Sequence, residues 1–330
     1  MTQQTASKEN LPQINSQINN SPNGQNSNFF ITDGGLETVL MFHEGIQLPC
    51  FAAFVLLKDA IGRETLRRYY EKYVAIAQNN NIGLILESPT WRASADWGQQ
   101  LGYTTRDLED INREAIALLQ TIRAEHAGRT PMVVSGCIGP RGDGYSPDSH
   151  MSSDGATHYH RPQVSAFAAA GADMVCAMTM TYPEEAIGII QAAQAIDIPV
   201  AISFTVETDG QLPSGHALSA AIHQVDAATG SAPAYYMINC AHPTHFYNTL
   251  TSDEPWTDRI FGIRANASRK SHAELDESDS LDDGNPMELG AQYVQLKDKL
   301  RNLSVVGGCC GTDHRHIEAI CRAYKLQSLG

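Results

Sequence analysis

The sequence predicts a (β/α)8 barrel, and three observations carry that prediction. Eight short apolar runs recur along the chain, stretches of helical period separate them, and no glycine-rich dinucleotide fingerprint follows the first run. The last point lowers the doubly wound alternative. About 100 to 200 residues per domain is only a soft prior, and single α/β barrels exceed it, so 330 residues fit one large domain.

The runs fall at 29–33, 82–87, 131–137, 172–178, 199–204, 234–239, 259–264 and 303–308. They are apolar throughout rather than alternating, as expected of parallel strands covered on both faces. Between them, Leu66, Tyr70, Tyr73 and Ala77 recur at helical spacing. So do Leu108, Ile111, Ala115, Leu118 and Ile122, and later Ile317, Ile320 and Tyr324. Residues 1–28 are rich in Asn, Gln and Ser and bury too little to offset the entropy of ordering, so they are expected to form a disordered tail before a barrel spanning 29–330.

The balance of charge narrows the function classes. Lys and Arg number 23 against 37 Asp and Glu, a formal charge of −14. Such an excess repels phosphate backbones and anionic lipid, which argues against nucleic-acid and membrane-surface partners. No apolar run approaches the roughly 18 residues of a membrane span, and nothing at the N-terminus reads as a signal peptide. Seven cysteines, an odd number, argue against a disulfide framework and for a reducing, cytoplasmic setting.

Barrel enzymes place their chemistry on the loops after the strands. Long polar stretches do fall there, at 139–155 and 265–286. The second carries Glu274, Asp276, Glu277, Asp279, Asp282 and Asp283, at a spacing that matches no standard calcium loop; a solvated, mobile lid is the simpler expectation. Two motifs concentrate sulfur at strand ends: Asn239-Cys240-Ala241-His242-Pro243 after the sixth run, and Gly307-Gly308-Cys309-Cys310-Gly311-Thr312 after the eighth.

In a closed barrel both motifs share one rim, so three sulfurs can converge. Adjacent residues of a strand point to opposite faces, so Cys309 and Cys310 share an ion only if the chain leaves extended geometry. The glycines at 307, 308 and 311 are expected to allow that. Thiolates suit zinc, and three of them leave the fourth tetrahedral position for a reactant. A buried small hydrophobe or a vicinal redox pair are the competing readings. Cys50, Cys137, Cys176 and Cys321 read as packing residues, and His158, His160, His242 and His245 as surface or capping groups.

The glycine-framed cysteine pair, followed by His316-Ile317, resembles the C-terminal signature of the homocysteine S-methyltransferase family. Weaker matches keep the family's order: Asp33-Gly34-Gly35-Leu36-Glu37-Thr38, residues 90–94, Ile138-Gly139-Pro140, Ser203-Phe204-Thr205 with Gly215-His216-Ala217-Leu218, and Asn239-Cys240. The resemblance implies a barrel that holds Zn2+ through Cys240, Cys309 and Cys310. It implies methyl transfer from an onium donor (S-methylmethionine, S-adenosylmethionine or betaine) to a thiol such as homocysteine, giving methionine. Asp33 then stands beside the bound thiol amino acid as a catalytic and binding group, with Gly34, Thr90 and Asn266 as further substrate contacts. Turn formation and backbone satisfaction are the structural alternatives for Asp33, Thr90 and Asn266.

One position departs from the pattern. Where the family usually carries a Glu for the acceptor's amino group, the fourth run offers Met178, whose thioether accepts poorly from ammonium. Glu87, Glu184 and Glu207 are the candidate substitutes; otherwise the acceptor differs from homocysteine. A metal-dependent barrel hydrolase and a non-catalytic thiol- or metal-binding barrel are the rival functions. The first needs a rim rich in His and Asp, which the sequence supplies poorly. The methyl donor and the oligomeric state stay open.

Overall fold

A computed structural model describes residues 29–145, 150–251, 254–278 and 280–328. The Asn/Gln/Ser-rich segment 1–28 and Asp279 of the acidic loop lie outside the described residues.

Eight parallel strands close into one barrel in sequence order, β1 through β8, with β8 paired back onto β1. They are β1 (Phe30–Ile31), β2 (Gly83–Glu87), β3 (Met132–Ile138), β4 (Met174–Met180), β5 (Val200–Phe204), β6 (Tyr235–Asn239), β7 (Ile260–Ala265) and β8 (Val305–Gly308). Every strand residue is buried, which explains their unbroken apolar character. All eight expected runs become strands, shifted by at most two residues at their starts.

The main outer helices are α1 (Ala60–Asn80), α2 (Thr105–Glu125), α3 (Ser153–Ala169), α4 (Pro183–Gln194), α5 (Leu218–Thr229), α6 (His272–Asp276), α7 (Pro286–Leu296) and α8 (His314–Ser328). Local chemistry sets their ends. Asp59 caps α1 by accepting from the Gly62 N–H, and Thr104 with Asp107 forms a capping box on α2. The three expected apolar stripes lie on α1, α2 and α8. One unit departs from the ideal alternation: β6 and β7 are joined by the four-residue helix Pro243–Phe246 and single 3-10 turns.

The core has two parts. A large outer shell fills the space between strands and helices. Inside the barrel, Phe30, Ile85, Val133, Met174, Tyr235, Phe261 and Val305 form a second cluster. Toward the carboxyl ends of the strands, buried polar residues appear: Glu87, Ser135, Ser203, Asn239 and Arg264. Strand period two carries this polar layer onto the same inward face as the apolar one, as with Ile85 and Glu87 on β2.

Candidate active site

The sulfurs of Cys240, Cys309 and Cys310 all lie within 4.8 Å of one another, at the carboxyl rim of the barrel. Cys240 and Cys309 meet as a disulfide, with their Cα atoms 5.4 Å apart. Among the described residues this is the one group of three or more Cys, His, Asp or Glu side chains able to share an ion. Among the described residues no such group is made of His and Asp.

Backbone conformation brings the three together. Cys240 leaves β6 at φ 53, a left-handed conformation uncommon outside glycine. Its carbonyl accepts from Asn266 Nδ2 at 3.0 Å and contacts His272 Nε2 at 2.6 Å, while its N–H donates to the Arg264 carbonyl. Cys309 and Cys310 follow the end of β8, and Gly311 at φ 78 turns the chain away. The Cys309 N–H donates to the Ala265 carbonyl, and the Cys310 carbonyl accepts from Ala267 N–H.

Of the three glycines expected to free the backbone, only Gly311 does so. Gly307 and Gly308 stay in the strand, and a Cβ there would strike Thr32 Oγ1 at 1.8 Å or Thr312 Oγ1 at 2.0 Å. They are small because side chains cross them.

Asn239 ties neighbouring strands to this rim. Its Oδ1 accepts from Ser203 Oγ at 2.6 Å and from the Thr179 N–H at 2.9 Å, and its Nδ2 donates to Thr179 Oγ1 and reaches Cys309 Sγ at 3.9 Å. Thr179 itself sits at φ 62, at an irregularity in the β4–β5 pairing. Tyr145, from the loop after β3, brings its hydroxyl 3.6 Å from Cys310 Sγ and stacks on His272 at 4.0 Å.

The sulfurs stand in a cleft whose walls include Phe51, Trp91, Tyr145, Met178, Asp33, Glu37, Glu87 and Arg264. Its charges are unbalanced, with three carboxylates to one guanidinium. Arg264 donates to Asp33 Oδ1 at 2.7 Å, and Tyr69 donates to Asp33 Oδ2 at 3.0 Å. Burial raises the Asp33 pKa against the opposing pull of Arg264. Glu37 and Glu87 have no such partner, and burial pushes each up to about 7.

The expected contacts separate on this geometry. Asp33 and Gly34 line the cleft beside the cysteines, but both oxygens of Asp33 are already engaged within the chain. Thr90 is fully buried, donates to the Cys137 carbonyl at 2.7 Å, and is not part of the cleft wall. Asn266 acts behind the site by holding the Cys240 peptide. Met178 does face the cleft.

Three expectations are corrected. Cys50 is exposed rather than packed, and the strained pair Cys50 and Phe51, at φ 53 and 59, presents Phe51 to the cleft. His160 is fully buried against Glu185 at 2.8 Å, because helices α3 and α4 enclose it. The 265–286 loop is more than a solvated lid, since its His272 is 5% exposed and contacts both the Cys240 carbonyl and Glu207. Sequence reasoning missed Arg264, Glu37, Trp91 and Tyr145. Glu37 and Trp91 lay inside quoted motifs, and Arg264 interrupts an apolar strand, but nothing in the sequence marked Tyr145.

A family model described as homocysteine S-methyltransferase matches residues 30–324. The chain belongs to the homocysteine S-methyltransferase family. A maize protein named homocysteine S-methyltransferase 4 is 23% identical over 318 residues, covering 89% of each chain. Homocysteine S-methyltransferase 1 of Arabidopsis thaliana is 22% identical over 322 residues, covering 89% of this chain and 93% of its own. Among solved structures, the oxidized form of the Escherichia coli homocysteine methyltransferase MmuM superposes with a TM-score of 0.71 at 19% identity, covering 92% of this chain and 98% of its own. The metallated form of that protein gives 0.69 at 19% identity, with 89% and 96% covered. Membership makes the chain a methyltransferase. No described helix is long and apolar enough to cross a membrane.

Proposed function

We propose that the protein, once the Cys240–Cys309 disulfide is reduced to two thiolates, transfers a methyl group from a cationic onium donor to the thiol of homocysteine, with zinc held by Cys240, Cys309 and Cys310. The observation that carries this reading is the placement of three sulfurs in a cleft with aromatic walls and an excess of carboxylates. An all-thiolate donor set suits zinc and leaves one tetrahedral position for a reactant. When bound, the zinc would lower the pKa of the acceptor thiol and hold it as a thiolate.

The chain's own residues do the rest. Phe51, Trp91 and Tyr145 offer apolar and π faces on which a sulfonium or quaternary ammonium rests without a hydrogen bond. Glu37 and Glu87, held toward their neutral forms by burial, ionise more readily beside a bound cation, which favours such a donor over a neutral methyl source. With donor and acceptor in one cleft, the acceptor sulfur attacks the methyl carbon in line. One S–C bond forms, the bond from carbon to the onium centre breaks, and the donor leaves as a neutral sulfide or amine. The proton of the acceptor thiol is released to solvent when the thiolate forms. Since the leaving group is neutral, positioning and thiol activation supply the catalysis without a general acid.

Two measurements test this. Purified protein is expected to hold near one equivalent of zinc, and Cys309→Ser to lose it; full retention would remove the site assignment. Homocysteine mixed in turn with S-methylmethionine, S-adenosylmethionine and betaine is expected to give methionine from at least one donor. No methionine from any of the three would refute the reaction.

A further inference from the structure

Glu87 ends β2 on the inner face of the barrel, is 4% exposed, and lines the same cleft as the three sulfurs. Neither of its carboxylate oxygens has a hydrogen-bond partner among the described residues. The Ser135 hydroxyl lies beside it, close enough to favour its charged form, yet is itself without a well-formed partner. Arg264 is the cation nearest to hand, but its guanidinium is committed to Asp33, Gly34 and the Gly308 carbonyl.

A buried carboxylate in this state is costly to keep, and it is satisfied by a proton or by a cation that brings N–H donors. An ammonium group supplies both charge and three donors, enough to serve a carboxylate and an adjacent hydroxyl together. Glu37 also lines the cleft but is only partly buried, and its oxygens are not among the buried atoms left without a partner. The two other carboxylates are accounted for elsewhere. Glu184 accepts from Gln224, and Glu207 pairs with His272. On β4 the cleft receives Met178, which offers no charge.

We propose that Glu87 is the anchor for the amino group of the thiol acceptor and makes the cleft selective for amino thiols. The proposal rests on the methyl-transfer reading for the identity of the acceptor and adds the group that recognises it. Charge and placement support it together: the carboxylate sits in the barrel mouth two strands from β8, and burial pushes it up to about 7, so a bound ammonium would draw it into the ionised form.

The test is calorimetric titration of the protein as purified with three thiols. Homocysteine carries both amine and carboxylate, 3-mercaptopropylamine lacks the carboxylate, and 4-mercaptobutyrate lacks the amine. The wild type is expected to bind both amine-bearing thiols more tightly than 4-mercaptobutyrate. Glu87→Gln is expected to weaken the amine-bearing pair by about 30-fold or more, the lower range for breaking a buried charge pair, while leaving 4-mercaptobutyrate and the metal content unchanged. Equal binding of all three thiols by the wild type would overturn the proposal, whether or not the variant folds. So would a variant that still prefers the amines. Methionine formation with a homocysteine KM unmoved in Glu87→Gln would remove this assignment and keep the reaction. Amine selectivity lost in the variant, with no methionine from any donor, would do the reverse.

Discussion

Replacing Glu87 by Gln is expected to make the ligand-free protein more stable at pH 8 and to change it least near pH 4. The carboxyl is raised from 4.5 to about 7 by burial, so the fold prefers it protonated. A raised pKa contributes stability that is fully present below 4.5 and is lost as pH rises through about 7. At about 1.4 kcal/mol per pH unit, the loss totals about 3 kcal/mol once the group is fully ionised. Gln is close to the neutral acid in size and does not ionise, so the variant escapes this loss. Taking about 2 cal/mol/K of unfolding entropy per residue over 330 residues, the gain amounts to roughly 4 °C in Tm. The assay is a set of thermal melts of both proteins from pH 4 to 8.5 without ligand, reading only the difference between them. Glu37 is common to both proteins and cancels. A difference that stays flat with pH would show that Glu87 is not held against ionisation, and the reasoning about its missing partner would fail with it.

Two further substitutions probe the frame around the sulfurs. Arg264→Met strands the buried Asp33 carboxylate and is expected to cost about 3–5 kcal/mol, with most of the loss recovered when Asp33→Asn is added; denaturation curves of the single and double variants read this directly. Gly35→Ala places a Cβ 2.5 Å from the Cys309 carbonyl and from Thr38 Oγ1, so a loss of about 1–3 kcal/mol and weaker metal retention are expected, whereas Gly142→Ala meets nothing within 4 Å and serves as the neutral control.

The barrel was legible because its signals are local and periodic. A parallel strand buried on both faces must be apolar throughout, and a helix lying on it must carry a stripe, so β2 and α1 announce themselves without any knowledge of their neighbours. The short Pro243–Phe246 connection is invisible to that reasoning, since a four-residue helix has no period to detect. The three cysteines were legible for a similar reason, as residues fixed to strand ends. What escaped are contacts at the rim between segments far apart in the chain. Tyr145 reaches Cys310 across 165 residues, and Arg264 meets Asp33 across 231. Neither pair shares an element, and each depends on closure of the whole barrel. His160 misled for the opposite reason: a polar residue on a helix is usually outward, but here Glu185 on the next helix gives it a partner inside.

Cys240 shows why the rim takes the form it does. A left-handed, non-glycine backbone costs of order 1–3 kcal/mol and persists only where the surroundings over-determine it. Here Asn266 and His272 both hold the Cys240 carbonyl, the Arg264 carbonyl takes its N–H, and Asn239 just before it is fixed to β4 and β5. Those bonds turn the sulfur from the strand direction toward Cys309 and Cys310. Two of the anchors serve the cleft as well. Arg264 pairs with Asp33 in its wall, and His272 stacks on Tyr145 above the sulfurs. The strain that orients the Cys240 sulfur is therefore held by the same residues that shape the pocket around it. A change to either reaches both the cysteine rim and the walls of the cleft, whereas Glu87, on β2, feels the Arg264 charge but makes no hydrogen bond to that network.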